Sequence, residues 1–192
     1  MARREPGEIA GLVLVEPKKF GDHRGFFSET YNRARMAALG FDREFIQDNH
    51  ALSGAAGTLR GIHYQSPPFA QDKLVRVTRG AILDVAVDIR VGSPTFGEHA
   101  AVVLSAENWR QLLVPAGFGH GYLTLEPDTE VIYKVTAPYA PQNDHGFLWS
   151  DPDLGIDWGL AGIGLAEPVL SDKDRALPRL AGIDSPFVGG AA

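Results

Sequence analysis

Residues 81–89, Ala81-Ile82-Leu83-Asp84-Val85-Ala86-Val87-Asp88-Ile89, carry the plainest pattern in the chain. Leu83, Val85, Val87 and Ile89 alternate with Asp84, Ala86 and Asp88. Side chains of a strand point to opposite faces in turn, so this period of two predicts a strand with two unlike faces. Around it, Lys73–Thr78, His99–Leu104, Gln111–Val114, Tyr122–Leu125 and Glu130–Val135 are rich in Val, Leu, Ile and Tyr and bounded by Gly, Pro, Asn or Asp. Further strands are expected at Leu12–Val15, Phe26–Thr30, Phe45–Gln47 and Thr58–Tyr64. One short helix fits: Asn32 caps it, Arg33 to Leu39 fill it and Gly40 ends it. Many short strands between turn signals predict an all-β sandwich, jelly roll or barrel. A barrel closes its sheet edges and leaves a mouth for a ligand.

The chain has 192 residues, 44% of them apolar and 22% charged, which suits one domain with a real core. Residues 1–8 and 185–192 read as frayed ends. The formal net charge of -6 argues against a nucleic-acid partner. An anionic ligand would have to meet Arg and Lys gathered in one pocket. With no cysteine in the chain, disulfides, Cys-ligated zinc, iron–sulfur clusters and thiol catalysis are excluded. No apolar run approaches the ~18 residues of a membrane span. No apolar stretch follows the basic residues of the N-terminus, so a signal peptide is not expected and a cytoplasmic location is.

Two histidines stand in unusual settings, His63 in Arg60-Gly61-Ile62-His63-Tyr64-Gln65 and His120 in Pro115-Ala116-Gly117-Phe118-Gly119-His120-Gly121. Glycine beside them permits close approach of a ligand or a backbone; the ordinary alternative is a pair of tight strand turns. The segment Pro115-x-Gly117-x-x-His120 resembles the second motif of cupin barrels, where the His binds metal. A divalent metal needs three or four His or carboxylate ligands, and here Gln65 stands where a first-motif His would be. No metal is therefore expected. Arg24, Arg60 and Lys73 could hold phosphate oxygens, whereas Arg76 and Arg79 read as solvated strand residues. Phosphate-binding glycine loops are absent, as is the Gly-x-Ser-x-Gly elbow of hydrolases. Tyr133, in a strand, is an acid only if it faces the pocket. Tyr139, between Pro138 and Pro141, is either a rigid stacking surface or a turn plug.

Read together, several stretches resemble the dTDP-4-dehydrorhamnose 3,5-epimerase family. They are residues 20–29, Gln47-Asp48-Asn49-His50, residues 59–65, 73–77, 80–90 and 114–122, Tyr133-Lys134-Val135-Thr136, residues 149–158 and Leu170-Ser171-Asp172-Lys173-Asp174. Their order and spacing cover about residues 10–178. The resemblance implies a cupin-type jelly roll (double-stranded β-helix) with one or two short peripheral helices, a homodimer and no metal or organic cofactor. It implies inversion at C3 and C5 of a dTDP-linked 4-keto-6-deoxyglucose. His63 falls on the family's base, Asp174 on the carboxylate paired with it and Tyr133 on the acid. Arg24, Glu29, Gln47, Asp48, Asn49, Arg60, Lys73, His120, Asp144 and Lys173 fall on substrate contacts, and Tyr139 on the aromatic that stacks on thymine. Asp144 stands where family members often carry Glu, one methylene longer, and Gly159 where Pro is common.

These residue types suit the chemistry. A ketone at C4 acidifies C3 and C5, and inversion needs a base on one face of the sugar and an acid on the other. Histidine titrates near neutrality, and a carboxylate behind it fixes its tautomer. Tyrosine holds its proton until a carbanion needs it, and Lys73 beside the ketone oxygen would stabilise the enolate. Arg24 and Arg60 would anchor the diphosphate. Strict alternation sets Arg60 and His63 on opposite faces of their strand; a bulge at Gly61 would bring both into the pocket. The competing readings are a single-carbon epimerase, a metal-dependent cupin enzyme and a non-catalytic sugar-nucleotide binding module.

Overall fold

The computed structural model describes residues 3–5 and 8–189. The strands, numbered in chain order, are β1 (Arg3–Arg4), β2 (Val13–Val15), β3 (Lys19–Asp22), β4 (Gly25–Ser28), β5 (Gln47–Ser53), β6 (Leu59–Gln65), β7 (Lys73–Arg79), β8 (Ala81–Asp88), β9 (His99–Ser105), β10 (Gln111–Val114), β11 (Phe118–Thr124), β12 (Thr129–Val135) and β13 (Asp144–Gly146). The short α-helices are α1 (Arg33–Ala38) and α2 (Asp172–Arg175). One sheet has the order β1-β9-β8-β11-β6-β13, the other β2-β10-β7-β12-β5, and β3 and β4 form a separate hairpin. From β6 to β12 the chain passes repeatedly between the two large sheets, which is the jelly-roll arrangement. No helix among the described residues is long and apolar enough to cross a membrane.

The two unlike faces of β8 are both buried, against different partners. Ile82 and Ala86 face the second sheet and pack with Val75, Val77, Leu112 and Val131. Leu83, Val85, Val87 and Ile89 face outward, under Phe147, Leu154, Trp158 and Leu180 of the C-terminal segment. The acidic positions of the run therefore point to the inside of the roll, not to water. Asp88 is satisfied there by Arg90, Ser93 and Thr95. On the outer side of the second sheet, Met36 of α1 and Phe41 cover Leu74 and Leu113.

Local signals explain most boundaries. The Asn32 side chain accepts a hydrogen bond from Arg35 N at 3.1 Å, and Gly40 follows the helix at φ +88°, as expected of a cap and a stop. β11 begins at Phe118, four residues before the expected Tyr122. Of the two readings of its glycines, close approach holds and the tight turn does not: a Cβ on Gly119 would lie 2.5 Å from the Phe147 ring. The Gly-rich stretch after Trp158 makes a 3-10 turn at Leu160–Ile163 and then returns to the first sheet, where Leu59 N donates to Val169 O at 2.9 Å. This path delivers α2 to the open end of the roll.

The expected fraying does not describe residues 185–189. Val91 N donates to Phe187 O and Gly189 N to Val91 O, each at 2.8 Å, so this tail is a strap on the loop after β8. At the other end Arg3–Arg4 pairs in parallel with β9. Residues 1, 2, 6, 7 and 190–192 lie outside the described residues.

Candidate active site

The open end of the roll holds a cleft of about 590 Å³. β6 and β11 form one wall, with Arg60, His63, His120 and Tyr122. β5, β7 and β12 form the facing wall, with Gln47, Asn49, Lys73 and Tyr133. Tyr139, Asp144, Lys173 and Asp174 close the rim.

The β6 wall depends on a bulge. His63 is opposite His120 and Arg60 is opposite Tyr122, so Gly61 and Ile62 of β6 stand against the single Gly121 of β11. The extra residue lies beside Gly61, whose φ of +130° is open to glycine and strained for other residues. Gly61 also faces Gly121: a Cβ on it would sit 2.5 Å from Gly121 Cα. The glycines thus admit a neighbouring backbone. The bulge turns Arg60 and His63 to the same cleft, as the sequence required of any pocket containing both.

His63 Nε2 lies 2.6 Å from Asp174 Oδ1. Asp174 is buried on α2, whose Ser171 cap accepts its backbone N–H at 3.1 Å. Burial pushes the Asp174 carboxyl up, but the hydrogen bond from His63 and the charge of Lys173 prevail and hold it below the ordinary carboxylate value. It is ionised at neutral pH and can only accept. The proton of the neutral ring therefore sits on Nε2, and Nδ1 is left bare. Across the cleft, burial raises the Tyr133 hydroxyl above its usual value, opposed by Arg60 and assisted by Asp144, so Tyr133 keeps its proton. Lys73 lies near Asp144 and Asp84, yet burial dominates and lowers its pKa to about 8.

At the rim the shorter Asp144 carboxylate still has partners. Its Oδ2 accepts from Tyr139 OH at 3.0 Å and from Lys173 Nζ. This bond pins an aromatic ring that is otherwise exposed. Gln47 donates to Asn49 Oδ1 at 2.8 Å on the inner face of β5.

The remaining expected residues stand elsewhere. Asp48, between Gln47 and Asn49, faces outward by strand alternation and accepts from Lys134 at 2.8 Å. Arg24 is at the tip of the β3–β4 hairpin, paired with Asp22, and Glu29 pairs with Arg35 at 3.2 Å. All three lie outside this chain's cleft. Conversely, Asp84 was not anticipated: it is fully buried on β8, with Oδ1 2.7 Å from His120 Nε2. Its only signal is its parity with Ile82 and Ala86. Among the described residues, no three His, Asp or Glu side chains are grouped to hold a metal ion.

A jelly roll with a His–carboxylate pair on one wall and a proton-bearing Tyr on the other defines a cupin-type acid–base cleft. The family model described as dTDP-4-dehydrorhamnose 3,5-epimerase matches residues 6–182. A Sinorhizobium fredii dTDP-4-dehydrorhamnose 3,5-epimerase is 51% identical over 172 residues, covering 90% of this chain and 86% of the relative. The Bacillus anthracis enzyme of that name, solved with TDP and pyrophosphate, is 50% identical with a TM-score of 0.84, covering 88% of this chain and 94% of the other. A dTDP-6-deoxy-D-glucose-3,5-epimerase from Legionella pneumophila, solved with dTDP-4-keto-L-rhamnose, is 43% identical with a TM-score of 0.88 and 96% coverage of both chains. The chain belongs to the dTDP-4-dehydrorhamnose 3,5-epimerase family.

Proposed function

We propose that this chain is an isomerase that inverts C3 and C5 of dTDP-4-dehydro-6-deoxyglucose, giving dTDP-4-dehydrorhamnose. The observation that carries the reading is the placement of His63–Asp174 and Tyr133 on facing walls of one cleft. His63 Nδ1 takes the proton beside the ketone. The C–H electron pair delocalises onto the C4 oxygen as an enolate, which the Lys73 ammonium stabilises. Tyr133 returns a proton to the opposite face, and water restores both groups before the second carbon reacts. Asp174 stabilises the imidazolium that forms. Arg60 serves the diphosphate, and Tyr139, held by Asp144, offers its ring to the base.

His63→Ala should abolish solvent-proton exchange at both carbons while dTDP binding persists. Tyr133→Phe should retain exchange and lose net inversion. Exchange surviving in the first variant, or unchanged product stereochemistry and rate in the second, contradicts these roles.

The active form is proposed to be a homodimer. The β3–β4 hairpin exposes Phe20, Phe26 and Phe27 and carries Arg24 at its tip. Docked on a second copy, it would bury these rings and bring Arg24 to the neighbouring cleft.

A further inference from the structure

We infer that Gln65 is a positioning residue for the nucleotide: its side-chain amide grips the backbone on both sides of Tyr139 and so fixes that ring as a preformed platform for the nucleobase. The inference rests on the cleft's reading as a dTDP-sugar site and adds a residue that acts through Tyr139.

Gln65 ends β6 and is buried. Its Oε1 accepts from Ala140 N at 2.8 Å, and its Nε2 donates to Pro138 O at 3.0 Å and to Phe69 O at 2.7 Å. These partners fix the orientation of the amide, because the N–H of Ala140 must meet its oxygen and the two carbonyls must meet its NH₂. Both amide hydrogens are used, and the bonds to Pro138 and Ala140 bracket one residue, Tyr139. Neighbours of Gln65 tie down the start of the same segment. Gln71 Nε2 donates to Ala137 O at 2.8 Å, and Thr136 Oγ1 donates to Asp72 Oδ2 at 2.9 Å.

Gln65 also sets the far end of the ring. Its backbone is the ladder partner of Asp144 across β6 and β13, and Asp144 Oδ2 accepts the Tyr139 hydroxyl at 3.0 Å. The tyrosine is therefore held at its backbone by the Gln65 side chain and at its tip by a residue that pairs with the Gln65 backbone. Tyr139 is 61% exposed, so packing alone does not immobilise it. A loose exposed ring would lose its rotamer freedom on stacking, and a ring fixed beforehand avoids that cost. Gln65 and His63 lie on one face of β6, about 7 Å apart along the strand, and both line the cleft. One strand thus carries the general base and fixes the platform for the nucleotide. Gln65 stands where a metal-binding cupin carries a histidine ligand, and here the position serves the Tyr139 segment instead.

The test compares dTDP with inorganic pyrophosphate, which offers the anionic contacts without a nucleobase. Gln65→Met keeps the length of the side chain and removes its hydrogen bonds. It should raise the Kd of dTDP roughly 5- to 100-fold, the scale of losing one base–aromatic stack, and leave that of pyrophosphate unchanged. The upfield shift that stacking gives the thymine methyl protons in the wild-type protein should be lost. In the Tyr139→Ala background, Gln65→Met should cost dTDP nothing further. Equal losses for both ligands, additive losses, or an unchanged dTDP Kd would sink the assignment. The wild-type protein supplies a check that survives a variant unable to fold. There the Gln65 side-chain amide protons should exchange slowly with water, and rapid exchange overturns the proposal. A wild-type protein that binds dTDP no more tightly than pyrophosphate would count instead against the dTDP-sugar reading, and the amide exchange would still decide whether Gln65 holds the segment.

Discussion

Lys73 faces the cleft from the first position of β7, and burial lowers its pKa to about 8. Its ammonium is present below that pH and is lost as pH rises through it. If the charged form stabilises the enolate, kcat/KM should fall above about pH 8. Lys73→Met should remove this limb and slow the reaction by about 10²-fold or more, the scale of losing one oxyanion donor. A wild-type pH–rate profile that stays flat to pH 9.5 would contradict the role. Tyr139→Ala should raise KM more than it lowers kcat, checked by steady-state kinetics; the opposite split argues against stacking. At this scale the sequence was only partly legible. His63, Tyr133 and Asp174 stand far apart in the chain, and only the resemblance joined them before the fold did. Asp84 was passed over because alternation separates two faces without saying which one is interior. Asp48 was misplaced for the related reason that neighbours in a strand cannot share a wall.

The bulge in β6 is the element on which the site turns. It was legible as a conflict, because a regular strand could not present both Arg60 and His63. Gly61→Ala would set a Cβ 2.5 Å from Gly121 Cα and 2.9 Å from His120 O, at a φ unsuited to alanine. We expect a loss of about 1–3 kcal/mol in denaturant unfolding, the usual range for overpacking. Relaxing the bulge should also weaken dTDP binding through Arg60. Unchanged stability and binding would mean that the bulge tolerates a side chain. Strands with alternating β-branched residues, such as β7, β8 and β12, were readable from pattern. β3 was not, since Lys19-Phe20-Gly21-Asp22 is held by its partner β4 rather than by propensity. Likewise α2 spans only four residues, and its place is set by the long connection from Trp158 through Val169.

Across the whole molecule, the two sheets give the cleft its facing walls, and the C-terminal segment supplies both the outer cover of the first sheet and Asp174. That covering could not be foreseen from residues 161–168, whose glycines carry no period. The exposed hairpin predicts a solution mass of two chains by light scattering. Replacing Phe20 and Phe27 together by Asp should halve that mass and reduce activity, although neither residue lines the cleft of its own chain. A wild-type monomer with full activity would refute the second copy's contribution. Proton exchange beside a ketone, from two faces of one cleft, unites these features. It is tested most directly by proton NMR of dTDP-4-dehydro-6-deoxyglucose with the protein in deuterium oxide. Solvent deuterium should appear at both C3 and C5 and, after reduction, the product should show the rhamnose configuration. Exchange and inversion at one carbon would make the chain a single-site epimerase, and no exchange at either would contradict the account.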